Sequence, residues 1–196
     1  MTIFLILAPY GVLALLSLLT SATVSLFCAA LICLAVIALD IARGRTIKIL
    51  TVGSVTVFTA IGCYLTFIDA TLSINAVSFA VNAGLLSVAL LSIAFRHPFT
   101  LQYAREMVDA ETMQHPGFVP TNYLLTWTWT GAFLLMAVGN MAVLYVPGLP
   151  LWSGLLIAFA VRNSAIYFTK WYPEYRKARD RAPPGQRPAL TITFRF

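Results

Sequence analysis

The chain has 196 residues, 60% hydrophobic and only 10% charged. Soluble domains carry about 25% charged residues, so this chain has too few polar groups to cover a water-facing surface. Disorder is excluded too, since it needs low hydrophobicity and high charge. The bilayer is the expected solvent, and the length favours one domain. Thirteen Lys+Arg stand against seven Asp+Glu, a net charge of +6. The basic residues flank apolar runs, so anionic lipid headgroups, not nucleic acid, are their expected partners.

A spanning helix needs about 20 apolar residues. Met1-Thr2-Ile3-Phe4 enters apolar sequence directly, without the basic start of a secretory signal, so the first run is expected to be retained. Residues 3–39 are too long for one span and divide at 20–23. The first predicted helix is 3–19, with Pro9 and Gly11 expected to kink it. The others are 22–42, 47–68, 76–95, 123–145 and 151–170, with Pro173 behind the sixth. If the first pair is a single span, five remain and the N-terminus lies outside.

Arg43, Arg45 and Lys48 fall between the second and third helices, and Arg96 and Arg105 between the fourth and fifth. Lys170, Arg176, Lys177, Arg179, Arg181, Arg187 and Arg195 follow the sixth. Only Arg162 lies inside a span. Positive charge on alternate connections predicts six spans with both termini in the cytoplasm. The expected fold is therefore an all-α bundle of six transmembrane helices, with a cytoplasmic interfacial helix between the fourth and fifth. It divides into a bundle, 1–172, and a basic Pro-rich tail, 173–196, that is extended and solvated. Residues 189–196 alternate like an edge strand that needs a pairing edge from elsewhere.

The long connection is 96–121. Phe99, Tyr103, Met107 and Ala110 recur at helical spacing, with Gln102, Arg105, Glu106 and Asp109 on the other face. This pattern predicts an amphipathic helix on the membrane surface, with Arg105 and Asp109 placed to pair. It serves either as a connector or as a docking surface built from Phe99, Tyr103, Met107 and Arg105. Pro116 and Pro120 make a stiff approach to the fifth helix.

His97 and His115 both lie in that connection, so no span carries a haem ligand. Cys28, Cys33 and Cys63 lie in apolar runs and are expected to pack. No metal or cofactor is expected. No carboxylate is deep in a span; Asp40 and Asp69 mark helix ends on opposite sides. Catalysis needs titratable groups within hydrogen-bond reach of one another, so an enzyme is not expected. A set made of His97, His115 and Glu106 is the alternative.

Polar stripes carry more information. Asn75, Ser78, Asn82, Ala89, Ser92 and Arg96 line the fourth helix, and Thr56, Thr59, Cys63 and Thr66 the third. Both are expected to face other helices, as close packing or as one wall of a polar cavity. Trp127 and Trp129 open the fifth helix, and Gly139 and Asn140 lie near its far end. On the sixth, Gly154 and Ala158 have small-residue spacing, and Ala158 shares a face with Arg162. Arg162 either snorkels towards the Lys170 end or pairs within the bundle, with Asn82 as candidate. The candidate polar site is Arg162, Asn82, Asn163 and Asn140.

The layout resembles the intracellular septation protein A family of small bacterial inner-membrane proteins. Four features carry the likeness: Leu7-Ala8-Pro9 near the start, Arg43-Gly44-Arg45 before the third helix, Phe95-Arg96-His97-Pro98-Phe99 after the fourth, and Trp127 with Gly139-Asn140 in the fifth. They extend over most of 3–170, and each is short. The longer connection, Arg162 and the basic tail depart from the family pattern. The resemblance implies an inner-membrane location and a non-enzymatic role in envelope maintenance or division, through other membrane proteins or self-association. Two functions are therefore expected: an interaction protein or accessory subunit, or a small-solute or lipid transporter or channel with a polar site in the bundle.

Overall fold

The computed structural model describes residues 10–13, 15, 16, 19–150 and 152–181. Seven helices have both ends among the described residues: α1 (Ala22–Ala42), α2 (Ile49–Phe67), α3 (Ile74–Ala94), α4 (Phe99–Arg105), α5 (Ala110–Gln114), α6 (Phe118–Tyr145) and α7 (Ser153–Arg181). No strand occurs among the described residues. Of these helices α1, α2, α3 and α6 are long and apolar enough to cross a membrane. The first predicted span falls partly outside the described residues; 10–13, 15, 16 and 19 are helical. The edge strand expected at 189–196 lies wholly outside them.

The helix boundaries follow local chemistry. Ser21 and Ser73 cap α1 and α3, their hydroxyls accepting from the N–H groups of Val24 and Ala76. Both helices end alike. After α1, Gly44 has φ 65°, Arg45 N–H donates to Asp40 O (2.8 Å) and Gly44 N–H to Ile41 O (3.0 Å). After α3, Arg96 has φ 59°, His97 N–H donates to Ser92 O (2.9 Å) and Arg96 N–H to Ile93 O (2.9 Å). These are Schellman ends, which favour glycine at the left-handed position; α3 has an arginine there.

Each long helix packs on the next: α1 on α2, α2 on α3, α3 on α6, α6 on α7. Helix α6 is central, with 44% of its most apolar window buried against 28–33% in the other three candidate spans. One apolar cluster joins Leu26, Phe58, Leu65, Val81, Leu85, Phe99, Phe133 and Met136. The outside is apolar as well: Leu31 and Leu34 on α1, Leu134 and Val138 on α6, and Leu156 and Phe159 on α7 are exposed. A surface of that kind suits lipid.

Several expectations change. Thr56, Thr59 and Thr66 face outwards, not towards other helices. Thr56 donates to Val52 O and Thr66 to Gly62 O, so neither hydroxyl needs a neighbouring helix. The inner face of α2 is Leu50, Thr51, Ser54, Phe58, Gly62 and Leu65. Helix α6 starts at Phe118, five residues earlier than expected, because Pro120 sits in its first turn where no N–H is needed. Helix α7 runs through Pro173 to Arg181, so 173–181 is helical and not an extended tail. Arg105 and Asp109 do not pair: α4 stops at Arg105, and Asp109 caps α5 by accepting from Thr112 N–H.

Replacing Gly44 by alanine should lower thermal stability in detergent by about 1 kcal/mol, and Arg96→Gly should raise it by about the same. Circular dichroism melting of the two variants checks the opposite signs.

Candidate functional site

The helices border a partly open cavity of about 1040 Å³. Its walls come from α3, α4, α6 and α7, closed by Leu26 of α1 and by Tyr10. Tyr10 is held in place through Ser54 Oγ (2.7 Å) and an edge-on contact with Phe58. The walls are mainly apolar, including Leu85, Phe99, Leu125, Phe133 and Met136. Three of the four expected polar-site residues, Arg162, Asn82 and Asn140, line this space. The fourth does not: Asn163 is exposed on the outer side of α7 and donates to Phe159 O (2.7 Å).

Depth within the bundle follows from two layers. At one end Gly154 packs against the side-chain oxygens of Asn75 and Asn140, which leave no room for a Cβ. Towards the other end Trp129 Nε1 donates to Thr169 Oγ1 (3.0 Å), and Thr100 Oγ1 bonds to Asn122 O and Thr126 Oγ1 (both 2.7 Å). Helix α6 therefore runs antiparallel to both α3 and α7. Arg162 lies eight residues from Gly154 and Asn82 seven from Asn75, so both are about 11–12 Å from the first layer. Both line one cavity, Asn82 from α3 and Arg162 from α7, at the level of the middle of α6.

Among the described residues Arg162 has no hydrogen bond and no ion pair. Lys170, Arg176 and Lys177 follow it on α7 and also line the cavity. At that end they meet Asp109, Glu111, His115 and Asp180. His115 Nδ1 accepts from Gly117 N–H (3.1 Å), and its Nε2 is 4.0 Å from Asp180 Oδ2. Helix α7 carries stacked aromatic pairs, Phe168 on Tyr172 and Trp171 on Tyr175, where its apolar half gives way to its basic half. Such rings collect at the boundary between hydrocarbon and water.

The residues proposed as an outward docking surface separate. Phe99 is only 3% exposed and, with Tyr103, lines the cavity. Tyr103 OH hydrogen bonds to Thr51 Oγ1 (3.1 Å). Met107 is exposed and also borders the cavity, while Arg105 is exposed and takes no part in it. The apolar face of α4 therefore packs inwards, because the bundle offers it a more complete contact than headgroups do.

One buried cluster was not legible beforehand. Lys48 Nζ donates to Asp40 Oδ2 (2.8 Å) and lies 2.9 Å from Glu106 Oε1, with the lysine side chain 3% exposed. Thr46 Oγ1 adds a bond to Glu106 Oε1, and Ile49 N–H donates to Gln102 Oε1. Lys48 thus clamps α1, the start of α2 and α4, and does not face headgroups. Burial pushes the nearby Tyr103 phenol up to about 12, and the Asp40 and Glu106 carboxylates add to the rise. The only advance signal was an acid at a helix end eight residues before a lysine. His97, His115 and Glu106, the alternative catalytic set, each have separate partners: His97 Nδ1 lies 2.7 Å from Phe95 O.

No known protein family, curated protein or solved structure matches this chain. The geometry alone carries the functional argument.

Removing Lys48 leaves two buried carboxylates facing each other. Lys48→Met should destabilise the fold by about 3–5 kcal/mol, the usual effect of breaking a buried ion pair. Lys48→Met combined with Asp40→Leu and Glu106→Leu should recover much of that loss in the same unfolding measurement.

Proposed function

We propose that this chain is an inner-membrane protein that binds a small solute or lipid inside its bundle and carries it across part of the bilayer. One observation supports this most: an arginine with no hydrogen bond or ion pair among the described residues lines a cavity of about 1040 Å³ at mid-bundle depth. A charge at the bilayer centre costs about 2.5–3.5 kcal/mol on insertion scales, so its placement in a cavity points to a ligand. A role through contacts with other membrane proteins, as the septation-family resemblance implies, has less support. Its intended surface has turned inwards at Phe99 and Tyr103.

In this proposal the spans number six: the four apolar helices, the first run, and the apolar half of α7. Both termini and the 96–121 connection face the cytoplasm. The alternate placement of the basic residues supports this orientation, as does the aromatic cluster at the start of the basic half of α7. Gln114 is exposed. In a protein lacking its native cysteines, Gln114→Cys should resist an impermeant thiol reagent in intact cells and react after lysis. Reaction in intact cells would reverse the orientation.

The ligand itself is tested by native mass spectrometry of protein purified in mild detergent. Wild type should carry a bound small molecule or lipid near one per chain. Ala158→Phe, which fills the cavity one turn from Arg162 without altering charge, should lose most of it. A stoichiometric protein partner with no bound small molecule would favour the interaction role.

A further inference from the structure

The cavity also constrains the chemistry of its occupant, and the following rests on the ligand-binding role just proposed. We propose that the ligand is an amphiphile with a compact oxyanion head, held between Arg162 and Asn82, and with its hydrocarbon part against the apolar wall.

Charge comes first. The carboxylates that line the cavity are Asp109, Glu111, Glu174 and Asp180. Asp109 and Glu111 belong to the start of α5, beside the segment whose Gly117 abuts Arg176. Glu174 is the nearest of the two on α7, and it is twelve residues from Arg162, about 18 Å along the helix. No carboxylate from α3 or from the middle of α6 and α7 lines the space at the level of Arg162. The guanidinium therefore lacks a counter-ion that a ligand oxyanion supplies. Its planar fork suits two oxygens of one group.

Helix α3 supplies donors without charge. Asn82 is 8% exposed, lines the cavity at the same depth as Arg162, and has no hydrogen-bond partner among the described residues. Its amide brings two N–H donors. An oxyanion between the two side chains uses both. A cationic head would meet Arg162 with like charge, and a neutral head would leave the guanidinium uncompensated.

Size and lining specify the rest. Ligand pockets commonly span about 300–1,000 Å³, and this cavity, about 1040 Å³, lies just above that range. A bare phosphate fills little of it. Leu13, Trp129, Ala158 and Ile166 line the cavity and are half-buried, so they present hydrocarbon that an acyl chain matches and water does not. Lys170 and Lys177 line the same cavity eight and fifteen residues beyond Arg162, about 12 and 22 Å along α7. Four carboxylates line that same end, so the positive charge without a neighbouring acid is the deeper one, Arg162.

Trp129 lines the cavity, which makes it a reporter. Full-length protein in phosphatidylcholine nanodiscs is titrated with 12-bromododecanoate, 12-bromododecanol and 12-bromododecyltrimethylammonium. Quenching that disappears in Trp129→Phe measures occupancy. The carboxylate should bind roughly tenfold more tightly than the other two. Arg162→Leu should erase that preference and Arg162→Lys should reduce it, with helicity by circular dichroism unchanged. Dodecyl phosphate should displace the carboxylate, and inorganic phosphate at the same concentration should not.

Equal binding of all three probes to wild type would overturn the oxyanion head and leave the cavity role standing. Retained preference in folded Arg162→Leu would overturn the assignment to Arg162. Competition by inorganic phosphate as strong as by dodecyl phosphate would overturn the hydrocarbon part and make free phosphate the ligand. No Trp129-dependent quenching by any probe would overturn the cavity role and this inference together.

Discussion

Hydrocarbon offers no partner to a hydrogen-bonding group, and this constraint orders the whole structure. Each polar side chain in the bundle must be satisfied by its own helix, by a neighbour, or by something else. Threonines and serines use the first route: Thr56, Thr66, Ser87, Thr128 and Ser164 all donate to carbonyls one turn back. That route lets them face any direction. The Thr100–Asn122–Thr126 group uses the second and ties α4 to the central helix. Lys48 with Asp40 and Glu106 uses it with full charges. Among the described residues Arg162 uses neither, which sets it apart from the other polar groups of the bundle.

Helix α4 links the two charged features. Gln102 and Glu106 hold it to the start of α2, while Phe99 and Tyr103 turn into the cavity wall. The buried ion cluster therefore sets the position of one end of the cavity. A cluster of this kind adds little net stability over an apolar replacement, but breaking it is expensive. Its effect is to specify one arrangement: the short helix cannot slide without stranding a charge. The basic half of α7 closes the same end from the other side, with Arg176 3.9 Å from Asp180.

Much of the fold was legible because lipid exposure is a composition rule. Runs of apolar residues placed α1, α2, α3 and most of α6 within a few residues. The errors have local causes. Pro120 and Pro173 were taken as helix boundaries, yet one occupies a first turn and the other lies within a continuous helix near the aromatic cluster, where lost backbone bonds are tolerated. The α2 threonine stripe was assigned to a helix contact, because a hydroxyl in a span looks like a demand for a partner. Local satisfaction removes that demand.

The candidate site shows the same division. Arg162, Asn82 and Asn140 stood out in the sequence because their side chains are costly in hydrocarbon wherever the neighbours lie. The solvent, the helical class and those few expensive residues were thus determined by composition and local pattern alone. That Arg162 and Asn82 line one cavity from different helices, that Asn163 points away, that Phe99 turns inwards and that Lys48 is swallowed between two acids were decided only by tertiary packing. Each depends on helix rotation and register between segments far apart in the chain. Helical spacing sets which residues share a face, but only the fit of one helix against another sets what that face meets.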